Sequence, residues 1–117
     1  MVESDNGETD PEDHRLQLAS LARQKKRRAL GFPRDWNPGA VINPASGLPY
    51  TESGAWQLIA EILESGHPVE TVVMNNPRGK TGYVLIYELS EDTPPLYIKI
   101  HFGSSGIVGR SFHHSHH

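Results

Sequence analysis

The chain has 117 residues, with 11 Lys and Arg against 14 Asp and Glu, 7 His and no Cys. That length suits one modest domain plus some tail, and the lack of Cys excludes disulfide staples, thiolate metal sites and a cysteine nucleophile. The net charge of −3 averages over segregated blocks: Glu3 to Asp13 hold six acids and no base, Arg15 to Arg28 six bases and no acid, and Lys99 onward two bases, five His and no acid.

Residues 1–13 read as a disordered acidic tail, without the basic and apolar regions of a secretory leader. No apolar run approaches the ~20 residues of a membrane span, so a soluble, cytoplasmic chain with no membrane partner is expected. Residues 14–30 read as a basic helix whose thin apolar stripe comprises Leu16, Leu18, Leu21, Ala22 and Ala29. Its Arg23-to-Arg28 cluster suits either an external nucleic acid or acidic partner, or the chain's own acidic tail. In residues 31–51, Pro33, Pro38, Pro44 and Pro49 oppose any long regular element. Phe32, Trp36, Val41, Ile42, Leu48 and Tyr50 are nevertheless too apolar for a free linker. An irregular arm lying on the domain surface reconciles the two.

Residues 52–113 carry the main domain. Thr51-Glu52-Ser53 supplies capping side chains for a helix from Gly54 to Ser65, with Trp56, Ile59, Ile62 and Leu63 as its core stripe. Gly66 suits a left-handed stop and Pro68 prevents continuation. Strands are expected over Val69 to Asn75, Thr81 to Leu89, Leu96 to Phe102 and Ile107 to His113, with short connections that favour antiparallel neighbours. The fold class is therefore α+β: one main helix packed on a small twisted antiparallel sheet of about four strands, with an N-terminal extension. Residues 114–117 read as a flexible His-rich tail that binds metal only adventitiously, since no Asp or Glu lies nearby to complete a site.

The last hairpin carries the chemistry. A two-residue Ser104-Ser105 turn and a four-residue Gly103-to-Gly106 loop give the same register. Phe102 then opposes Ile107, Ile100 opposes Gly109, Lys99 opposes Arg110, and Tyr97 opposes Phe112. Alternation sends Leu96, Ile98, Ile100, Phe102 and Ile107 to the core. The outer face receives Tyr97, Lys99, His101, Arg110 and Phe112, with His113 at the strand end. Like charges directly opposite each other destabilise a sheet, and a phosphate would relieve them. Aromatic rings beside cations also stack bases. The plainer reading is a solvated face whose cations protect an edge from aggregation.

The runs Gly82-Tyr83-Val84, Leu96-Tyr97-Ile98-Lys99-Ile100 and Val108-Gly109-Arg110-Ser111-Phe112-His113 resemble bacterial toxins of the motility quorum-sensing regulator (MqsR) type. These belong to the wider RelE-like group of messenger-RNA endonucleases, and the resemblance covers roughly Glu52 to His113. It implies a type II toxin-antitoxin mRNA interferase: a metal-independent hydrolase of RNA, without cofactor, in which the 2′-OH attacks the adjacent phosphate. Its partners would be RNA, free or ribosome-bound, and a neutralising antitoxin. By the resemblance, Lys99 and Arg110 hold the phosphate, Tyr97 orients or stacks the substrate, and His113 serves as acid or base. Arg78, Lys80, His101 and Phe112 are the expected further RNA contacts. The net negative charge and long N-terminal extension depart from the compact, basic toxin pattern. Two other readings stand beside it: a non-catalytic module binding nucleic acid or an acidic protein, and an interaction protein of a mobile element or phage whose hairpin edge pairs with a partner strand.

Overall fold

The computed structural model describes residues 11–115. The elements run Pro11–Ala22 (α1), a 3-10 turn at Lys25–Arg27, Arg28–Trp36 (β1), a 3-10 turn at Pro38–Ala40, Ile42–Asn43 (β2), Leu48–Pro49 (β3), Glu52–Glu64 (α2), Glu70–Asn75 (β4), Arg78–Tyr87 (β5), Leu96–Phe102 (β6) and Ile107–His114 (β7). Among the described residues, no helix is long and apolar enough to cross a membrane.

α2 forms for local reasons that the sequence displays. The Thr51 hydroxyl accepts from the Gly54 N–H at 3.0 Å, satisfying one of the otherwise unpaired first-turn donors. Glu52 stands in the positive first turn. Trp56, Ile59, Ile62 and Leu63 are all buried, each side chain contributing about 1.5–3 kcal/mol through removal from water. Gly66 ends the run with φ +84°, a conformation that costs a residue with a Cβ. Ala55, Leu58 and Ala60 are buried as well, because α1 packs along α2 and supplies Leu18, Ala19 and Ala22 to the same core. There are thus two packed helices where the sequence predicts one main helix.

The expected helix from His14 to Leu30 is shorter and earlier than the pattern suggests. Of the acidic tail, residues 1–10 lie outside the described residues, and 11–13 belong to α1. The helix stops at Ala22 because the following bases bond to its end and to neighbouring elements. The Arg28 Nε–H donates to the Ala22 carbonyl at 2.8 Å. Arg23 grips both Glu64 carboxylate oxygens at 2.7 and 2.8 Å. Arg27 Nη1 donates to the Ser105 carbonyl at 2.6 Å. Three of the five bases in the Arg23-to-Arg28 cluster are therefore committed within the fold.

The expected arm is largely structured. Its first part is β1, which joins the sheet, and its later part contains the small β2–β3 ribbon, paired antiparallel. The main sheet has five strands in the order β1-β7-β6-β5-β4. Its four antiparallel strands match the expected ones closely, but β1 runs parallel to β7, so the sheet is mixed. One face, carrying Tyr83, Leu85, Leu96, Ile98, Ile100, Ile107 and Phe112, forms the core with the helices. Trp36 closes the far end of β1 against Trp56 and Phe112. The Glu52 carboxylate accepts from both indole N–H groups at 3.0–3.2 Å.

The hairpin register holds from Phe102↔Ile107 to Ile100↔Gly109 and then shifts. Lys99 faces Ser111 rather than Arg110, and Tyr97 faces His113 rather than Phe112. Arg110 is the extra residue of a β-bulge. A one-residue shift sends every later side chain to the opposite face. Phe112 therefore pairs with Ile98 inside the core at 0% exposure. It is a packing residue and not an RNA contact. His114 belongs to β7 and its Nδ1–H donates to the Pro94 carbonyl at 2.8 Å, while the Ser115 N–H donates to the Pro95 carbonyl at 2.8 Å. Residues 114 and 115 are therefore not part of the expected flexible tail, and residues 116–117 lie outside the described residues.

Candidate functional site

The bulge determines what the outer face presents. Gly109 opposes Ile100 on the core side, while Ser111 opposes Lys99 on the other. Arg110 turns to the same side as Ser111, since its Nε–H donates to the Nε2 of His101 at 3.0 Å. The regular alternation of one outward residue in two is broken, and Arg110 and Ser111 stand together beside Lys99.

β1 is irregular at the same level. Its pairing with β7 passes from Leu30↔Gly109 directly to Asp35↔Ser111, so residues 31–34 leave the ladder and rise over the bulge. Pro33, Arg34 and Asp35 from this loop form one wall of an open cleft of about 410 Å³. Met74, Asn75 and Asn76, at the end of β4, form the facing wall, with Lys99, Arg110 and Ser111 between them. Three cationic side chains from three different strands thus meet around one concavity, with a single carboxylate, Asp35.

Arg110 is the most constrained of these cations. Only 8% of it is exposed. Besides the bond to His101, its Nη1 donates to the Pro33 carbonyl at 3.1 Å. The looped segment lies so close that a Cβ on Gly31 would sit 2.6 Å from the Arg110 Cζ, which explains a glycine there. His101 is itself fixed: Nδ1 donates to the Phe102 carbonyl at 2.8 Å, leaving the Nε2 lone pair for Arg110. Burial holds the His101 pKa below its ordinary 6.5, helped by the charges of Arg110, Lys80 and Lys99 and opposed by the bond to Phe102. The neutral ring is the form that this geometry requires.

The sequence-derived residues therefore separate into distinct positions. Lys99 and Arg110 line the same cleft although they are not cross-strand partners. Tyr97 and His113 pair across β6 and β7 beyond Lys99↔Ser111, with rings stacked at 5.6 Å. They lie outside the lining of the cleft but connect to it, because His113 Nε2 stands 3.4 Å from the Asp35 carboxylate. His101 is 3% exposed and supports Arg110 from behind rather than presenting itself to a ligand. Arg78 is exposed at the start of β5 and Lys80 half-buried two residues on; neither lines the cleft. Among the described residues, no three His, Asp or Glu side chains gather as a metal-binding group. His116 and His117 lie outside the described residues.

Arg34, Asp35 and Ser111 were not legible as site residues. Ser111 is turned outward only by the bulge, and Arg34 and Asp35 sit in a segment whose prolines disguise a strand. The one available signal was Arg34 standing beside Pro33 and two residues from both Phe32 and Trp36. No protein-family model, curated protein or solved structure matches the chain.

Proposed function

We propose that the cleft binds a phosphodiester of RNA and that the domain is a toxin-like, metal-independent endoribonuclease. The observation that carries this reading is the convergence of Lys99, Arg110 and Arg34 on one open cleft, with Arg110 locked in orientation by His101 and the Pro33 carbonyl. A preorganised guanidinium and a lysine oppose the charge that grows on a phosphorane without reorganising during the reaction. The 2′-oxygen bonds to phosphorus as its proton leaves, and the P–O5′ bond breaks as the 5′ oxygen gains a proton. The products are a 2′,3′-cyclic phosphate and a 5′-hydroxyl. His113, stacked on Tyr97 and held near Asp35, is the residue for proton transfer at the edge of the cleft. The short motifs that resemble those of RelE-like toxins are in keeping with the same chemistry, and in that setting an antitoxin would cover the cationic cleft.

A second reading, binding without cleavage, draws on the position of Tyr97 and His113 outside the residues that line the cleft. The two are separated by incubating the purified protein with RNA, with and without ribosomes, in the presence of a metal chelator, and mapping the ends of the products. Cyclic-phosphate ends lost in Lys99→Ala establish the nuclease. Uncleaved RNA that is bound by wild type and released by Lys99→Ala establishes the binder. Identical behaviour of wild type and Lys99→Ala ends both.

A further inference from the structure

Phe32 is an aromatic side chain left in solvent. It is 73% exposed, on a described surface whose other Phe side chains, Phe102 and Phe112, pack with the core. Burying such a ring would be favourable, yet the fold turns it outward at the crest of the segment that leaves the β1–β7 ladder. The guanidinium carbon of Arg34 sits 4.1 Å from its ring centroid, so the ring is held between a cation and open solvent. Arg34 also lines the cleft. The same segment is tied to the cationic centre at two further points, the Pro33 carbonyl bonded to Arg110 and Gly31 packed on the Arg110 guanidinium.

From this geometry we infer that Phe32 and Arg34 form a stacking platform for one unpaired nucleobase, held at a set distance from the phosphate site. The inference rests on the proposed phosphate-binding role of the cleft and adds the class of substrate: single-stranded RNA with a base free to unstack. Aromatic faces bind bases of any identity and an arginine lying on the ring adds cation–π attraction. A duplex keeps its bases stacked internally and cannot offer one to the ring. Arg34 joins the two functions, since its guanidinium covers the ring and borders the cleft. Cleavage is thereby placed next to a nucleotide that the platform has drawn out of a stack.

The test uses the full chain and three oligonucleotides with non-cleavable 2′-O-methyl riboses: a single strand, the same strand with abasic sites, and its duplex. Affinities are read by fluorescence anisotropy. Phe32→Ala is expected to weaken the intact single strand by about five- to a hundred-fold, to leave the abasic strand and duplex unchanged, and to be rescued by Phe32→Trp. Because the ring is largely exposed, the variant retains the wild-type circular dichroism. If Phe32→Ala binds all three like wild type while Lys99→Ala loses all three, the platform is overturned and the phosphate site stands. Equal weakening of intact and abasic strands by Phe32→Ala also overturns it, since no base is then involved. If wild type binds no single strand, the platform and the phosphate site both fall.

Discussion

His101 and Arg110 form a buried pair in which the histidine is the acceptor: the Arg110 Nε–H points at the Nε2 lone pair across 3.0 Å. The two sit on adjacent antiparallel strands and share the outer face of the sheet, where the bulge at Arg110 adds Ser111 beside them. The pair makes the protonation state of one imidazole a condition for the orientation of the cation in the cleft. It also places a hydrogen-bonding network behind the surface of the cleft.

This arrangement has a pH signature. The folded-state pKa of His101 lies below its ordinary 6.5, chiefly through burial. The unfolded chain then binds more protons than the native one as pH falls below that value, so His101's contribution to stability is complete above pH 6.5 and is lost as pH falls through the lowered folded value. Melting temperature is expected to drop over this acidic window. His101→Gln, which keeps an acceptor but cannot titrate, should flatten that part of the curve. A slope unchanged in the variant would assign the acid sensitivity to other groups.

Phe112 separates the bulged register from the regular one. As a buried core residue in contact with Trp36 and Tyr50, its replacement by alanine should cost about 3–5 kcal/mol of stability. An outward Phe112 would cost little stability. Urea denaturation of Phe112→Ala decides between them, and a change within experimental scatter would restore the regular register.

Gly31→Ala directs a Cβ into the Arg110 guanidinium, 2.6 Å from Cζ. Either the looped segment lifts or the guanidinium turns away from the Pro33 carbonyl. Overpacking of this kind costs about 1–3 kcal/mol, and the local displacement should weaken RNA binding even at temperatures where the variant is fully folded. Wild-type affinity in a fully folded Gly31→Ala would show that the segment does not position Arg110.

Lys99 is half-exposed in the cleft, and its contribution should be electrostatic. Single-strand affinity is expected to fall steeply with salt, and Lys99→Ala should reduce the slope of log K against log salt by roughly 0.7. Thermal stability should barely change. An unaltered slope, measured over several salt concentrations, would remove Lys99 from the phosphate contacts.

Much of the fold was legible because it is encoded locally. The stripe Trp56, Ile59, Ile62 and Leu63, the cap at Thr51 and the stop at Gly66 are read from neighbouring residues and recur in α2. The antiparallel strands are joined by short turns, so alternation along each strand predicts its partner; Leu96, Ile98, Ile100 and Ile107 all reached the core as expected. Lys99 and Arg110 were identifiable as outward cations for the same reason.

What only the tertiary structure decided is how those cations are assembled. β1 pairs in parallel with a strand nearly eighty positions later, Arg28 with Ile107. Such pairing is stabilised by distant contacts and leaves no local periodicity, so a Pro-interrupted segment reads as an arm. The bulge at Arg110 adds one residue to a strand whose pattern is otherwise regular, and hydrophobic alternation does not register it until Phe112 is seen inside the core. Those two departures, meeting at the same level of the sheet, bring Arg34, Asp35 and Ser111 to Lys99 and Arg110. The local sequence determined the scaffold and its charges; long-range pairing turned them into a cleft.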